Sequence, residues 1–336
     1  MRVLAGDIGG THTRLALTQV DGAAVHVEKV ERVLNAGRAG VDKLLADFLA
    51  LSGASGASVD ACCLAVAGPT DGHSAQFTNL PWCIDASVLS ERFGLPFRLV
   101  NDFAAVGWGL NALQDADVAP LQSGIPLASA PRLALGAGTG LGVSLCVARE
   151  GLHQPLDSEG GHIGFAPTDA EQDRLLAFLR EEHGRVSVER LLSGPGVVSL
   201  YRFRLRESGR READNELLAD PQAASAISRA GLAESDREAA QALRLFARIY
   251  GQVAGDLALL ARAEAGVYLA GGIAPQLLTL LQGGEFIAGF HAKGRFSDWM
   301  ERLLVRVILD PDVGLKGAAL AASRVVASGY GAKDRA

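Results

Sequence analysis

Val3-Leu4-Ala5-Gly6-Asp7-Ile8-Gly9-Gly10-Thr11-His12-Thr13-Arg14 is the stretch on which the reading of this chain turns. An apolar run of strand length ends near a carboxylate, two glycines turn the backbone, and a second strand-like stretch follows at once. Residues 2–8, 12–19 and 24–31 read as β-strands punctuated by Gly9-Gly10 and Asp21-Gly22, an antiparallel meander. Without side chains at Gly9 and Gly10, backbone N–H groups can approach an anion, so the turn can cradle phosphate. It lacks the GxxxxGK[ST] spacing of a Walker loop, and a strand stands where a GxGxxG dinucleotide turn needs a helix. Taken alone, it reads equally well as a plain hairpin turn.

Beyond the meander the pattern becomes strand–helix alternation. Val41–Leu51 has helical spacing, Ala61–Ala67 is an apolar run of strand length, Asp85 or Ser87 caps a helix to Phe93, and Phe97–Val100 returns to strand. A second glycine turn, Gly136-Ala137-Gly138-Thr139-Gly140-Leu141-Gly142, lies between Leu133–Leu135 and the strand-like Val143–Ala148, a coarse internal repeat of the first. A third, Ala270-Gly271-Gly272-Ile273, ends a strand over Gly266–Ala270. Three such turns point to a nucleotide cleft. Elsewhere the texture is helical, with capping boxes expected at Thr168–Glu171 and Ser235–Glu238, a long apolar-faced helix from Leu243 toward Gly266, a polar, solvated excursion over 206–237, and a last amphipathic helix over Gly314–Ala327.

The 336 residues, 49% hydrophobic and 21% charged, fit an ordinary globular protein of about two domains. A net charge of −6 supplies no global field for nucleic acid or anionic membrane, so any phosphate must be held locally. With a first strand expected from about residue 3, no DNA-reading module is expected ahead of it. There is neither a signal-peptide core nor an uncharged membrane span, and a cytoplasmic location is expected. Cys62, Cys63, Cys83 and Cys146 show no CxxC or paired Cys/His pattern; they are expected to be reduced and buried, with no zinc.

The remaining polar residues must choose the chemistry. Leu99-Val100-Asn101-Asp102-Phe103 puts an amide and a carboxylate at the end of an apolar strand, where such groups face a crevice; Asp102 also reads as only a helix N-cap. Glu159-Gly160-Gly161-His162 pairs a carboxylate with an imidazole, and Glu189 sits at an expected helix start. Singly, His162 reads as a satisfied core histidine and Glu189 as an exposed helical charge.

The three glycine turns resemble the sugar kinase, actin and heat-shock chaperone superfamily. The resemblance implies that Gly6, Asp7, Ile8, Gly9, Gly10 and Thr11 hold ATP phosphate, that Thr139 and Gly140 face them across the cleft, and that Gly271 and Gly272 border adenosine. A carboxylate beside phosphate needs an intervening cation, so Mg²⁺ held through water near Asp7 is implied. Together, Gly6–Thr11, Asn101-Asp102-Phe103, Gly136–Gly142, Glu159–His162, Glu189–Gly196 and Ala270–Ile273 resemble the bacterial ATP-dependent glucokinase family. The likeness runs from residue 6 to about residue 317 and takes in Thr78-Asn79, Trp82, Lys293-Gly294-Arg295-Phe296 and Gly314–Gly317.

It implies an α/β, two-lobed actin-like ATPase fold with a ribonuclease H-like motif in each lobe. The small lobe would be residues 1–110 plus the terminal helix 314–328, the large lobe residues 111–313. Asn101, Asp102, Glu159, His162 and Glu189 would surround glucose, with Asp102 as general base, giving glucose 6-phosphate and ADP; a homodimer is also implied. The alternatives are a sugar-responsive binding or regulatory protein of the same fold, or a kinase for another hexose. Two departures stand out. Relatives commonly read Gly-Gly-Thr-Asn where this chain has His12, and a Pro-Gly pair where it has Asp157-Ser158, which puts an extra carboxylate beside the sugar loop.

Overall fold

A computed structural model describes residues 1–38, 40–68, 70–77, 80 and 82–327. The chain starts with strands β1 (Arg2–Ile8), β2 (His12–Asp21) and β3 (Ala24–Leu34), then α1 (Val41–Leu51), β4 (Ala61–Val66), β5 (Ser74–Gln76), β6 (Cys83–Asp85), α2 (Ala86–Phe93), β7 (Phe97–Asn101) and α3 (Asp102–Gly109). Next come β8 (Val118–Gln122), β9 (Arg132–Ala137), β10 (Leu141–Arg149), β11 (Leu152–Leu156), α4 (Ala170–His183), α5 (Gly194–Glu207), α6 (Glu216–Ala219), α7 (Ala223–Leu232) and α8 (Arg237–Ala261). The last elements are β12 (Val267–Ala270), α9 (Ile273–Gln276), α10 (Leu278–Gln282), α11 (Glu285–His291), α12 (Ser297–Met300), β13 (Val305–Ile308) and α13 (Val313–Ala327). Two compact units result. One holds residues 1–117, the segment Cys146–Asp157 and the chain from Asp310 onward; the other holds Val118–Leu145 and Ser158–Leu309. The boundaries expected at 110 and 313 compare with 117 and 310, and Cys146–Asp157 goes with the first unit.

The first unit is built on a five-stranded sheet of order β3-β2-β1-β4-β7, antiparallel through the meander and parallel from β1 to β4 and β7. Alternation along β1 sends Leu4 and Ile8 to one face, against Leu44, Leu45 and Phe48 of α1, and Val3 and Ala5 to the other, against Leu315, Ala318, Ala319 and Ala322 of α13. Each buried Leu or Phe stabilises by roughly 1.5–3 kcal/mol. Small residues let α13 press on α3, the helix whose first residue is Asp102. A Cβ added at Gly317 would lie 1.7 Å from the Ala105 carbonyl oxygen, a contact only glycine permits. Gly317→Ala is therefore expected to cost about 1–3 kcal/mol by overpacking and to lower Tm by about 2–8 °C, measured by thermal melting. An unchanged Tm would show that α3 and α13 are not packed this closely.

The second unit carries the sheet order β10-β9-β12-β13-β8, with β9 and β13 parallel to β12 and β8 antiparallel to β13. The run β10-β9-β12-β13 has the order of β2-β1-β4-β7, so the repeat glimpsed in the glycine turns is a repeat of topology. All four residues of β12 are buried, as a central parallel strand requires. The 25-residue α8 buries Phe246, Tyr250, Val253 and Leu257, and the Tyr250 ring meets Phe286 of α11 edge-on at 5.8 Å. Lys293, in a string quoted for the family likeness, has its side chain only 5% exposed and binds Asp256 at 2.7 Å.

Several local expectations are corrected. The caps of α4 and α8 are Asp169 and Asp236, one residue beyond Thr168 and Ser235, because the backbone is extended at these aspartates and their carboxylates reach the N–H groups of Gln172 and Ala239. Asp85, not Ser87, caps α2. Glu189 lies on a single 3-10 turn, Val188–Arg190, while the helix itself starts at Gly194, fixed by the Ser193 cap and by Pro195 in its first turn. The 206–237 excursion is not wholly solvated, since α7 buries Ala226, Ile227 and Gly231. Cys83 is exposed, because β6 turns Ile84 inward and its neighbours outward; the other three cysteines are buried. Among the described residues no helix is long and apolar enough to cross a membrane.

Candidate active site

In the first unit, Gly6, Asp7 and Ile8 are the last residues of β1. Gly6 and the Ile8 side chain are buried in the ladder, so Asp7 is the polar group this strand end offers. Burial raises the Asp7 carboxyl above the usual carboxylate range, and the guanidinium of Arg14, its cross-strand partner, partly opposes the shift. Arg14 donates to the Pro311 carbonyl at 2.8 Å and pairs with Asp312, which ties the strand to the approach of α13. Gly9, Gly10 and Thr11 make the turn, closed by the Gly9 N–H donating to the His12 carbonyl at 3.0 Å. Gly10 and Thr11 are exposed, and their N–H groups have no acceptor among the described residues. Free, outward N–H groups are what an anion cradle requires.

Asn101 and Asp102 stand where β7 becomes α3. Asn101, not Asp102, is the N-cap: its Oδ1 accepts from the N–H groups of Phe103 at 2.8 Å and Ala104 at 3.2 Å, and its Nδ2 donates to the Gly68 carbonyl at 3.1 Å. That leaves Asp102 exposed on the first turn of the helix, with Oδ1 accepting from Phe103 N–H at 2.8 Å. The cap aims the carboxylate out of the sheet.

In the second unit the glycine turn, the Glu159–His162 loop and Glu189 meet. Thr139 is exposed at the tip of a turn closed by Gly138 N–H donating to the Gly140 carbonyl at 2.8 Å. The Leu141 N–H donates to Glu189 Oε2 at 2.9 Å, and Gly140 lies against the same carboxylate. Glu189 Oε1 faces His162 Nδ1 at 3.9 Å, while His162 Nε2 faces Glu159 Oε2 at 3.9 Å. Glu159 and His162 are well exposed and Glu189 is half-buried. Gly271 and Gly272 are exposed after β12, and Gly271 turns with φ +78° against the carbonyl of Ala137 at the end of β9. The fold thus gathers Glu159, His162, Glu189 and the Thr139–Gly140 turn into one neighbourhood.

Sequence reasoning missed Arg14, Asn35 and the Leu141 N–H. Arg14 was legible from the alternation of β2; the other two depend on register and loop path. Thr78 and Asn79 lie outside the described residues. Trp82 is a core residue, edge-on to Phe77 at 6.4 Å between ring centres. Asp157 lines a first-unit cavity of about 360 Å³ with Arg98, Trp108 and Glu150.

Two α/β units with matching strand orders, each carrying a glycine turn after its central strand, define a sugar-kinase type of architecture, and solved structures agree. A glucokinase from an Antarctic psychrotroph superposes with a TM-score of 0.86 at 28% identity, over 96% of this chain and 99% of that one. A Balamuthia mandrillaris glucokinase in complex with glucose gives 0.76 at 25%, over 96% and 93%. A glucokinase of Nostoc punctiforme is 40% identical over 96% of this chain and 99% of its own length. The sequence matches the glucokinase family over residues 4–325, and the chain belongs to that family.

Removing the Glu189 carboxylate would leave the Leu141 N–H without its acceptor and take one wall from the imidazole. Glu189→Ala is expected to raise the glucose KM at least about tenfold, whereas Glu189→Gln keeps an acceptor for Leu141 and loses less. Glucose titration of both variants checks the order, and equal effects would remove the contact with Leu141 from the argument.

Proposed function

We propose that the protein transfers the γ-phosphoryl group of Mg-ATP to the 6-hydroxyl of glucose, with Asp102 as the general base. The observation that carries this reading is the second-unit constellation, in which one imidazole faces two carboxylates and the inner carboxylate is tied to a glycine turn. Such a set offers several acceptors and a few donors to a polyhydroxylated ring. Recognition of this kind is sharp, because a sugar with a missing or misplaced hydroxyl leaves polar groups that it covers unpaired. Mannose and fructose are then poorer substrates.

A hexose hydroxyl does not ionise near pH 7, so its proton must be taken as the oxygen attacks. Asp102 Oδ accepts the proton from O6, the O6–Pγ bond forms, and the bond from Pγ to the bridging oxygen breaks, ADP leaving with the electron pair. Asn101 contributes by holding Asp102 at the helix start. Gly10 and Thr11 contribute backbone N–H groups toward phosphate oxygens. Among the described residues no cluster of three or more His, Cys, Asp or Glu side chains is arranged to hold a metal. Asp7 is a single hard oxygen donor, which suits an ion otherwise held by water and phosphate. Mg²⁺ there would neutralise charge on the transferring phosphoryl group.

A coupled assay of ADP release with Mg-ATP and a panel of hexoses tests the proposal. Saturable, glucose-dependent ADP release supports it; glucose binding without turnover would favour a regulatory protein instead. Family resemblance is the support for a homodimer, which light scattering tests.

A further inference from the structure

The departure from Gly-Gly-Thr-Asn falls at His12, the first residue of β2, and another element brings an amide side chain to the turn before it. Asn35, the residue after β3, is only 3% exposed, and its side-chain amide and backbone N–H are spent on this turn and on the strand that leaves it. Its Nδ2 donates to the Gly9 carbonyl at 2.8 Å, its backbone N–H donates to the Thr11 carbonyl at 2.9 Å, and its Oδ1 accepts from the Thr13 hydroxyl at 2.7 Å. Thr13 is itself fully buried. Both limbs of the turn are therefore strapped to one residue, Gly9 by its side chain and Thr11 by its backbone N–H.

The consequence follows from peptide geometry. In a trans peptide the C=O and the following N–H point in opposite directions, so drawing the Gly9 oxygen inward to Asn35 turns the Gly10 N–H outward. The Gly9–Gly10 peptide joins two residues with the widest conformational freedom, and nothing in their own side chains prevents it from flipping. A flipped peptide would present a carbonyl oxygen to a phosphate and repel it. Holding the donor in place before the ligand arrives removes that reorganisation from binding and from the transition state.

We infer that Asn35 is a positioning residue that locks the Gly9–Gly10 peptide in its phosphate-accepting orientation, with Thr13 holding Asn35. The inference rests on reading this turn as the ATP phosphate cradle. Asn35→Ala is expected to raise the ATP KM about tenfold and to lower kcat, with the glucose KM within about twofold of wild type. Thr13→Val keeps the bond to Gly9 and releases only the hydroxyl, so about a threefold rise in the ATP KM is expected. Melting curves establish that the variants are folded, and if Asn35→Ala is not, Thr13→Val carries the test.

An ATP KM unchanged in the folded variants would overturn the assignment, as would an equal rise in both KM values, which marks general loosening. A separate measurement guards the underlying reading: in wild-type protein, a nonhydrolysable ATP analogue should shift the Gly10 amide resonance. No shift there would overturn the cradle itself, whereas a shift in wild type with normal kinetics in both variants would overturn only the role of Asn35.

Discussion

Asp102→Asn is expected to lower kcat by about 10²–10⁴-fold while glucose binding stays near the wild-type value. The substitution is nearly isosteric, and its Oδ1 can still accept from the Phe103 N–H that Asp102 engages at 2.8 Å. What the amide cannot do is take a proton. Because Asn101 forms the cap, α3 should keep its start in the variant, and the loss can be assigned to chemistry rather than to helix fraying. Steady-state kinetics with a glucose-binding titration separate the two effects. A kcat within about tenfold of wild type would hand the proton to another group. An equal loss of glucose affinity would make Asp102 a binding residue first.

The second large effect belongs to Asp7, where activity and stability should move in opposite directions. Its carboxyl is held above its unfolded value by burial, so the folded protein binds that proton more tightly than the unfolded chain does. The ionised form therefore costs stability at neutral pH. That cost is absent below the unfolded pKa, near 4, and present in full once the pH exceeds the raised folded value. Asp7→Asn should raise Tm at pH 7 by about 2–4 °C, on the order of 1 kcal/mol, with no gain at pH 3. The same change should lower ADP release by about 10²–10³-fold and raise the Mg²⁺ requirement, since it removes the one hard donor at this strand end. Turnover near the wild-type rate would take Asp7 out of the phosphate reading. A lower Tm would show that the Arg14 attraction outweighs desolvation.

Much of this was legible in the residues themselves. The meander followed by parallel strands came from alternation and from glycine punctuation at residues 9–10 and 21–22, signals that depend only on neighbours in sequence. The repeat was legible because each glycine turn follows an apolar run. The helix starts at Asp169 and Asp236 were misplaced by one residue, since Ser, Thr and Asp compete as caps and adjacent candidates look alike until the path of the backbone selects one. Glu189 was drawn onto a helix because the 3-10 turn at 188–190 is too short to show a period. Asn35 was beyond reach: its role depends on ten cross-strand pairs between β2 and β3, with an irregularity after Leu17 that shifts everything beyond it. Register of that kind is a property of the pairing, not of either strand.

The first unit is completed by α13, which is distant in sequence from the unit's strands, and this constrains synthesis. After residue 117 emerges from the ribosome, nearly two hundred residues follow before α13 exists. At about 5–20 residues per second that is an interval of roughly 10–40 s. Throughout it Val3, Ala5, Ala16 and Cys63 have no α13 to cover them, while residues 118–309 hold most of what the other unit needs to settle. The nascent polypeptide thus carries a half-clad sheet at its leading end, an opportunity for chaperones and a hazard in crowded polysomes.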